Sequence, residues 1–337
     1  MLSKFEIDGK IVGDGYPPYV IAEAGSNFNQ SLSTAKKLID VAADSKADAV
    51  KFQLFSADSL YPSTAPEYKL FKQVELNREW IPELYAYANS RNITFLASSF
   101  DKQSVDVLEN IDVAAHKIAS SETTNASLLA YIASKQRPII LSTGMCDLID
   151  VQEAVNICKN NGCDSIVILQ CSTIYPLPIE QANISVLSLY QEIFSTPVGF
   201  SDHTISNVAS ITAIAKGANI IEKHFTLDKT ADGPDHFYAL EPDELEFFIS
   251  SIHDAYSALG EPKKNLLIDE RKFGRREGIY ASHDIKKGEK ISSDNIYVRR
   301  PALGLRARYI NTVNGMSAKK DILAETPITW DYLEPNS

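Results

Sequence analysis

Eight short apolar runs, each followed by a segment whose apolar residues recur at every third and fourth position, constrain this chain more than any other feature. The runs are YVIAEAG (19–25), AVKFQLF (49–55), TFLASSF (94–100), AHKIASS (115–121), IILSTG (139–144), IVILQCS (166–172), VGFSDHT (198–204) and IIEKHFT (220–226). A short apolar run reads as a buried strand, and the three-four spacing as a helix covering a sheet. Segments such as STAKKLIDVAADSK, NREWIPELYAYANSRN and VQEAVNICKNNG supply those helices. Strict alternation of strand and helix calls for a parallel sheet with helices outside, and eight strands close it into a barrel. The expected fold class is therefore α/β, a (β/α)8 TIM barrel.

A barrel of this kind takes roughly 250 residues, so a chain of 337 leaves material at both ends. Ahead of the first run, FEIDGKIVG reads as a hairpin, because Asp8-Gly9 supplies the positive-φ residues of a two-residue turn; it is placed to plug the barrel floor. The last helical segment, DELEFFISSIHDAYSALG, ends at Gly260. Residues 261–277 are charged and aperiodic, as a linker is, and short strands with turns resume near Gly278. The expected division is a catalytic barrel with its hairpin over 1–260, a linker over 261–277 and a small domain over 278–337. A domain of about 60 residues buries little of its surface, so it needs the barrel or a partner subunit to lean on.

Composition removes some functions. With 33 basic and 44 acidic residues the formal charge is -11, and nucleic acids and anionic membranes both call for basic surfaces. The first residues, MLSKFEIDGKIVGDG, carry charges where a signal peptide is apolar, and no run reaches the ~18 apolar residues of a membrane span. Cys146, Cys158, Cys163 and Cys171 form no CxxC pair, which fits a reduced, cytoplasmic protein.

In such barrels the chemistry gathers at the C-terminal ends of the strands. Those ends carry Glu23, Lys51, Gln53, Ser98, Lys117, Ser120, Glu122, Ser142, Gln170, Ser172, Ser201, His203, Glu222 and His224. His203 and His224 stand at equivalent places on two consecutive runs, and adjacent strands lie ~4.8 Å apart. They can share one metal ion, with Glu222 one layer deeper to orient a ligand, or be two hydrogen-bonded structural histidines. Lys51 and Lys117 are costly to bury without anions. A substrate bearing phosphate and carboxylate would answer both, with Ser98, Ser120, Ser142 and Ser201 completing the cradle; so would structural carboxylates such as Glu23 or Glu122. Lys117 and Ser120 differ in parity, so the fourth strand either ends near Ile118 or bulges there. The loop DKTADGPDH places Asp232, Asp235 and His236 on the same side of the barrel, where acidic turn residues are ordinarily just solvated.

Taken together, IAEAGSNFNQ, ADAVKFQ, HKIASSETTN, RPIILSTGM, YPLP, GFSDHT, EKHFTLD with GPDH, and DIKKGEKISSDNIYVRRP resemble the bacterial sialic acid synthase family, including its legionaminic and pseudaminic acid synthases. The last stretch resembles that family's C-terminal antifreeze-like domain, a β-clip. The resemblance implies Mn²⁺ or Mg²⁺ on His203 and His224. It implies phosphoenolpyruvate held by Lys51, Ser98, Lys117, Ser120, Ser142 and Ser201, and sugar held by Gln53, Tyr175 and Asp235. It further implies a domain-swapped homodimer in which Arg300 reaches the sugar in the partner's barrel.

The implied reaction joins the enol carbon of phosphoenolpyruvate to the aldehyde carbon of an N-acylated amino sugar, N-acetylmannosamine or a 2,4-diacetamido-trideoxyhexose. Water then adds and phosphate leaves. A carboxylate must manage the protons, Glu122 first and Glu23 second, while Lys117 answers charge on the departing phosphate and Lys51 the substrate carboxylate. Phe28, Ser99, Ser121 and Thr173 stand where the family more often has His, Pro, Gly and Asn. Thr173 keeps a hydroxyl for phosphate, whereas Phe28 removes a polar group, and both are expected to bear on sugar choice. Two other readings stay open: a metal-dependent aldolase or epimerase on the same barrel, and a catalytically silent carbohydrate binder.

Overall fold

The computed structural model describes residues 4–272 and 274–335. The chain divides into two compact units, Met1–Gly260 and Glu261–Ser337. The first opens with a hairpin, β1 (Phe5–Ile7) and β2 (Lys10–Val12), turned at Asp8 and Gly9 with φ of 48° and 79°. Ile7 and Val12 sink into the barrel's apolar cluster. Asp8 accepts from the Thr94 hydroxyl at 2.8 Å and Lys10 pairs with Asp48 at 2.6 Å. Thr94 begins a barrel strand, so the hairpin closes the N-terminal end of the barrel.

Eight parallel strands follow: β3 (Tyr19–Gly25), β4 (Ala49–Leu54), β5 (Thr94–Ser99), β6 (His116–Ile118), β7 (Ile139–Ser142), β8 (Ile166–Cys171), β9 (Val198–Asp202) and β10 (Ile220–His224). They pair in sequence order, and β10 returns to β3 to close the barrel. The outer layer forms as the periodicity requires. Helix Leu32–Asp44 buries Ala35, Leu38, Ile39 and Ala42 and is capped by Ser31, whose hydroxyl accepts from the Thr34 N–H. Helix Leu148–Asn160 starts at an Asp147/Asp150 capping box, and helix Pro242–Leu259 ends against Gly260. Outward residues of the strands, Phe52 and Phe95 among them, pack beneath these helices. Inward residues are polar toward the C-terminal end.

The structure decides one open alternative and corrects one expectation. Of the two alternatives for the fourth run, the strand ends rather than bulges: β6 stops at Ile118, short of the apolar run's end at 121, and Ser120–Glu122 forms a 3₁₀ turn. That turn brings Ser120 to the same side as Lys117 despite their opposite parity. The segment read as an aperiodic linker contains a helical stretch, Ile268–Lys272.

The second unit holds its own apolar cluster, with Ile279, Ile285, Ile291, Val313, Ile322 and Ile328 fully or nearly fully buried. It is built on short antiparallel pairs, Gly278–Ala281 with Ile296–Arg299 and Ser317–Ala318 with Leu333–Glu334. Among the described residues no helix is long and apolar enough to cross a membrane. The four cysteines are free thiols.

Candidate active site

At the C-terminal end of the barrel lies a cavity of about 360 Å³. It is lined by Glu23, Lys51, Gln53, Ser98, Lys117, Ser120, Glu122, Ser142, Thr173, Tyr175, Ser201, His203 and His224, together with Glu222. Asp235 stands behind this lining. Arg300 belongs to the second unit, where its Nε lies 3.5 Å from Glu277 Oε1 and most of its side chain is exposed.

The deepest layer is a charge network. Lys51 Nζ lies 2.7 Å from Glu23 Oε2 and 3.8 Å from Glu222 Oε2, and it donates to Ser98 Oγ at 3.0 Å. Lys117 donates to Ser142 Oγ at 2.6 Å and stands 3.7 Å from Glu222 Oε1. Gln53 donates to Glu23 Oε1, and Ser201 to Glu222 Oε1, each at 3.0 Å. Burial of both acids and both lysines is nearly complete, so each charge depends on its neighbours. Burial pushes the Glu222 carboxyl up, but Lys117 and Lys51 outweigh it and hold it down at about 2. Burial, with Glu222 adding to it, raises Glu23 above the usual carboxylate range in spite of Lys51. Lys117 is lowered by burial, whereas the Glu222 and Glu23 carboxylates overcome burial at Lys51 and raise it.

Glu222 therefore serves the lysines more than the histidines, a partnership that only the curvature of the barrel reveals. Glu122, one of the two carboxylates considered as lysine partners, instead accepts from Asn125 Nδ2 at 3.2 Å, and its side chain faces the cavity.

Above this layer the histidines lie with ring centroids 5.4 Å apart. His203 Nδ1 is 2.7 Å from the Ser172 carbonyl, which can only accept, so the proton sits on Nδ1 and Nε2 keeps its lone pair. Tyr238 donates its hydroxyl to Asp235 Oδ1 at 2.8 Å, leaving its oxygen to accept from His224 Nδ1 at 3.4 Å. His224 thus has an unused Nε2, whereas at His203 the lowering effect of burial is outweighed by contact with the Cys171 thiol, which raises its pKa. Burial lowers His224 to about 3, which keeps it neutral, as a metal ligand must be. The donor set suits a divalent ion held by two nitrogens. Among the described residues no group of three His, Cys, Asp or Glu gathers for a metal, so the other ligands would be water or substrate oxygens, the open arrangement of a catalytic site.

Asp235 also accepts from the Ser26 hydroxyl at 3.1 Å. The approach depends on Gly25, whose φ is +54° and where a Cβ would lie 2.7 Å from Asp235 Oδ2. Tyr175 closes the same side, its ring 4.1 Å from His203 and 5.3 Å from Tyr238. His236 ties the loop down through Thr226 Oγ1 at 2.6 Å and Asn29 Oδ1 at 3.0 Å.

Sequence reading missed Tyr238 and an apolar wall of Leu60, Tyr61, Phe71 and Phe100. Tyr238 lies in an irregular loop, and Leu60, Tyr61 and Phe71 in or beside short helices inserted after β4, beyond the reach of strand parity, where the one signal was the aromatic-rich insertion; Phe100 ends the run 94–100 and shares the parity of Ser98, so alternation could have found it. Phe28 requires correction as a determinant of sugar choice. It is fully buried, packs edge-on against Phe52 and Trp80 at 6.4 Å, and takes no part in the lining. Ser99 likewise is buried outside the cavity, whereas Ser121 and Thr173 do line it.

Comparison with known proteins covers nearly the whole chain. The NeuB family model matches residues 38–264 and the SAF domain model residues 276–334. N,N'-diacetyllegionaminic acid synthase of Legionella pneumophila is 36% identical, covering 99% of this chain and 100% of that protein. The enzyme of the same name from Campylobacter jejuni is 39% identical over 90% of this chain and 96% of its own length. The crystal structure of N-acetylneuraminic acid (sialic acid) synthetase from Leptospira borgpetersenii, in complex with citrate, superposes with a TM-score of 0.76. It is 31% identical and covers 81% of this chain and 95% of that one. The chain belongs to the NeuB family of synthases, its barrel followed by a SAF (antifreeze-like) domain.

Proposed function

We propose that the protein condenses phosphoenolpyruvate with an N-acylated amino sugar and water to give a nonulosonic acid and phosphate. One observation carries this reading. Two buried lysines, each bonded to a serine hydroxyl, share a cavity with two histidines that stand side by side in its lining. Synthase relatives that span the chain support it.

Lys117, Ser120, Ser142 and Thr173 would hold the phosphate of phosphoenolpyruvate, and Lys51, Ser98 and Ser201 its carboxylate. Gln53, Tyr175 and Asp235 would orient the sugar, whose open-chain aldehyde must meet the enol carbon. A divalent ion, Mn²⁺ or Mg²⁺, held by His203 and His224 would supply Lewis-acid polarisation of the aldehyde oxygen. The new carbon–carbon bond moves the aldehyde's π electrons onto its oxygen, which takes up a proton to become a hydroxyl, and leaves an electron-poor carbon beside the phosphate ester oxygen. Water adds there while Glu122, whose carboxylate faces the cavity, takes its proton; Glu23 is the second candidate. The bond between that carbon and the bridging oxygen then breaks, and phosphate leaves against the charge of Lys117. Burial keeps these lysines and carboxylates in fixed places, so they need little reorganisation as charge develops.

The test is inorganic phosphate release from phosphoenolpyruvate with Mn²⁺, comparing N-acetylmannosamine, a 2,4-diacetamido-trideoxyhexose and no sugar. Release that requires one sugar is expected and names the acid made. No release with any sugar would favour the aldolase or epimerase reading or the silent binder.

We further propose a homodimer in which the SAF domain of one copy serves the barrel of the other. Met145, Ile149, Ile205 and Val208 are each more than half exposed on the loops and first helical turns that follow β7 and β9, and so much apolar surface beside a polar cavity marks a contact face. Arg300→Ala is expected to raise the KM for the sugar about tenfold and leave that for phosphoenolpyruvate unchanged, as loss of one charge-assisted hydrogen bond would. Steady-state kinetics with each substrate varied in turn check this; an unchanged sugar KM removes Arg300 from the site. A dependence on phosphoenolpyruvate would favour the cytoplasm as its location.

A further inference from the structure

Two buried charges stand on the outer face of the barrel beside the histidines, and the reaction above uses neither. Asp202 on β9 and Lys223 on β10 are register partners, one residue before His203 and His224 respectively. Alternate side chains of a strand face opposite ways, so histidines that face the cavity put these two outside it. Ser210, on the helix after β9, donates to Asp202 Oδ2 at 2.6 Å, and Lys223 Nζ lies 5.7 Å from the Phe248 ring centroid. Asp202 is 1% exposed and Lys223 2%, and their charged ends are 3.1 Å apart.

The remaining bonds of the pair converge on one residue. Asp202 Oδ1 accepts from the Thr204 N–H at 2.8 Å, and Lys223 Nζ donates to the Thr204 carbonyl. Thr204 follows His203 directly, so the polar backbone groups of the residue that carries the chain away from His203 are held from two sides. One holder comes from β9 itself and the other from the strand bearing His224. Burying an ion pair is a weak route to stability, since an apolar pair of similar size often serves as well. An apolar pair would have nothing to offer the N–H and carbonyl of Thr204.

We propose that Asp202 and Lys223 are positioning residues, a brace across the ends of β9 and β10 that fixes His203 and His224 relative to each other for a shared divalent ion. The proposal rests on the two-histidine reading given above. The brace acts from behind the ligands and touches neither substrate nor ion.

The test is Mn²⁺ binding to the full-length, substrate-free protein, followed by electron paramagnetic resonance of the free ion. It compares wild type, His203→Ala, Asp202→Asn/Lys223→Met and Ser210→Ala. The double variant removes both charges together, so no lone charge stays buried, and the amide oxygen introduced at 202 can still accept from Thr204. Its Mn²⁺ Kd is expected to rise about tenfold or more, the usual effect of losing support behind a metal ligand, and its Tm to fall only modestly, since the Thr204 carbonyl loses its donor while no lone charge is left buried. Ser210→Ala, which deletes a single bond to Asp202, is expected to weaken binding about threefold.

A double variant that loses stability while keeping the wild-type Kd marks a merely structural pair and overturns the brace, leaving the histidine reading intact. If the double variant does not fold, Ser210→Ala decides, and an unchanged Kd there has the same force. Wild type that binds no Mn²⁺, or His203→Ala that binds it equally well, removes the two-histidine reading and the brace with it.

Discussion

Replacing His203 with alanine is expected to abolish tight Mn²⁺ binding and to slow phosphate release from phosphoenolpyruvate by about 10³-fold. Polarisation of a carbonyl by a bound ion is worth several kcal/mol, and about 4 kcal/mol of barrel-site stabilisation is three decades in rate. The loss should be this complete because, among the described residues, no third protein ligand gathers with the two histidines. A single imidazole on water and substrate oxygens is a weak metal site. The fold should tolerate the change, since the His203 ring bonds only to groups of the neighbouring strand's end, the Ser172 carbonyl and the Cys171 thiol. The KM for phosphoenolpyruvate should move little, because Lys51 and Lys117 draw on Glu23, Glu222 and the serines. Metal analysis of the purified variant and a phosphate-release assay over a range of Mn²⁺ read both effects. Turnover that keeps its wild-type dependence on Mn²⁺ would put the ion elsewhere.

How much of this could be read from the chain alone follows from where period two applies. Along the runs that form β4, β9 and β10 every second residue shares a face, so Lys51 with Gln53, Ser201 with His203 just past the end of β9, and Glu222 with His224 could be grouped before any coordinates. The barrel was legible for the same reason, each run being short, apolar and separated by a helical period. Parity fails where the strand stops. Ser120 reaches the cavity through a 3₁₀ turn, and Tyr238 and Asp235 arrive on an irregular loop that Gly25 admits by lacking a Cβ. Pairing between distant strands was also hidden. Glu222 meets Lys117 because a closed barrel brings them together across its interior, and nothing in the spacing of residues 117 and 222 announces it. Phe28 shows a different limit: matching a family position says which residue is present, while the direction of its side chain is settled by packing, here against Phe52 and Trp80.

That hidden network carries the second large expectation. Lys51→Met should destabilise the fold by about 3–5 kcal/mol, because it leaves Glu23 without its ion-pair partner and strips one cation from Glu222. The loss should depend on pH. Burial already raises the Glu23 carboxyl above its ordinary value against the opposing pull of Lys51, so removing Lys51 raises it further. A carboxyl whose folded pKa exceeds its unfolded one binds its proton more tightly when folded, so its penalty is absent below the unfolded value, grows as pH rises from the unfolded to the folded value, and is complete above that. Glu222 runs the other way: its pKa of about 2 stabilises the fold above the unfolded value and is lost on acidification, and Lys117 still supports it in the variant. The deficit of Lys51→Met relative to wild type should therefore shrink as pH is lowered from 7 toward 5, as Glu23 takes up its proton. Denaturant unfolding of both proteins at the two pH values measures this. Adding Glu23→Gln should recover part of the loss at pH 7, since the buried charge goes with its partner. A deficit that is the same at both pH values, or a double variant no more stable than Lys51→Met, would mean that Lys51 contributes through packing rather than by holding the Glu23 charge.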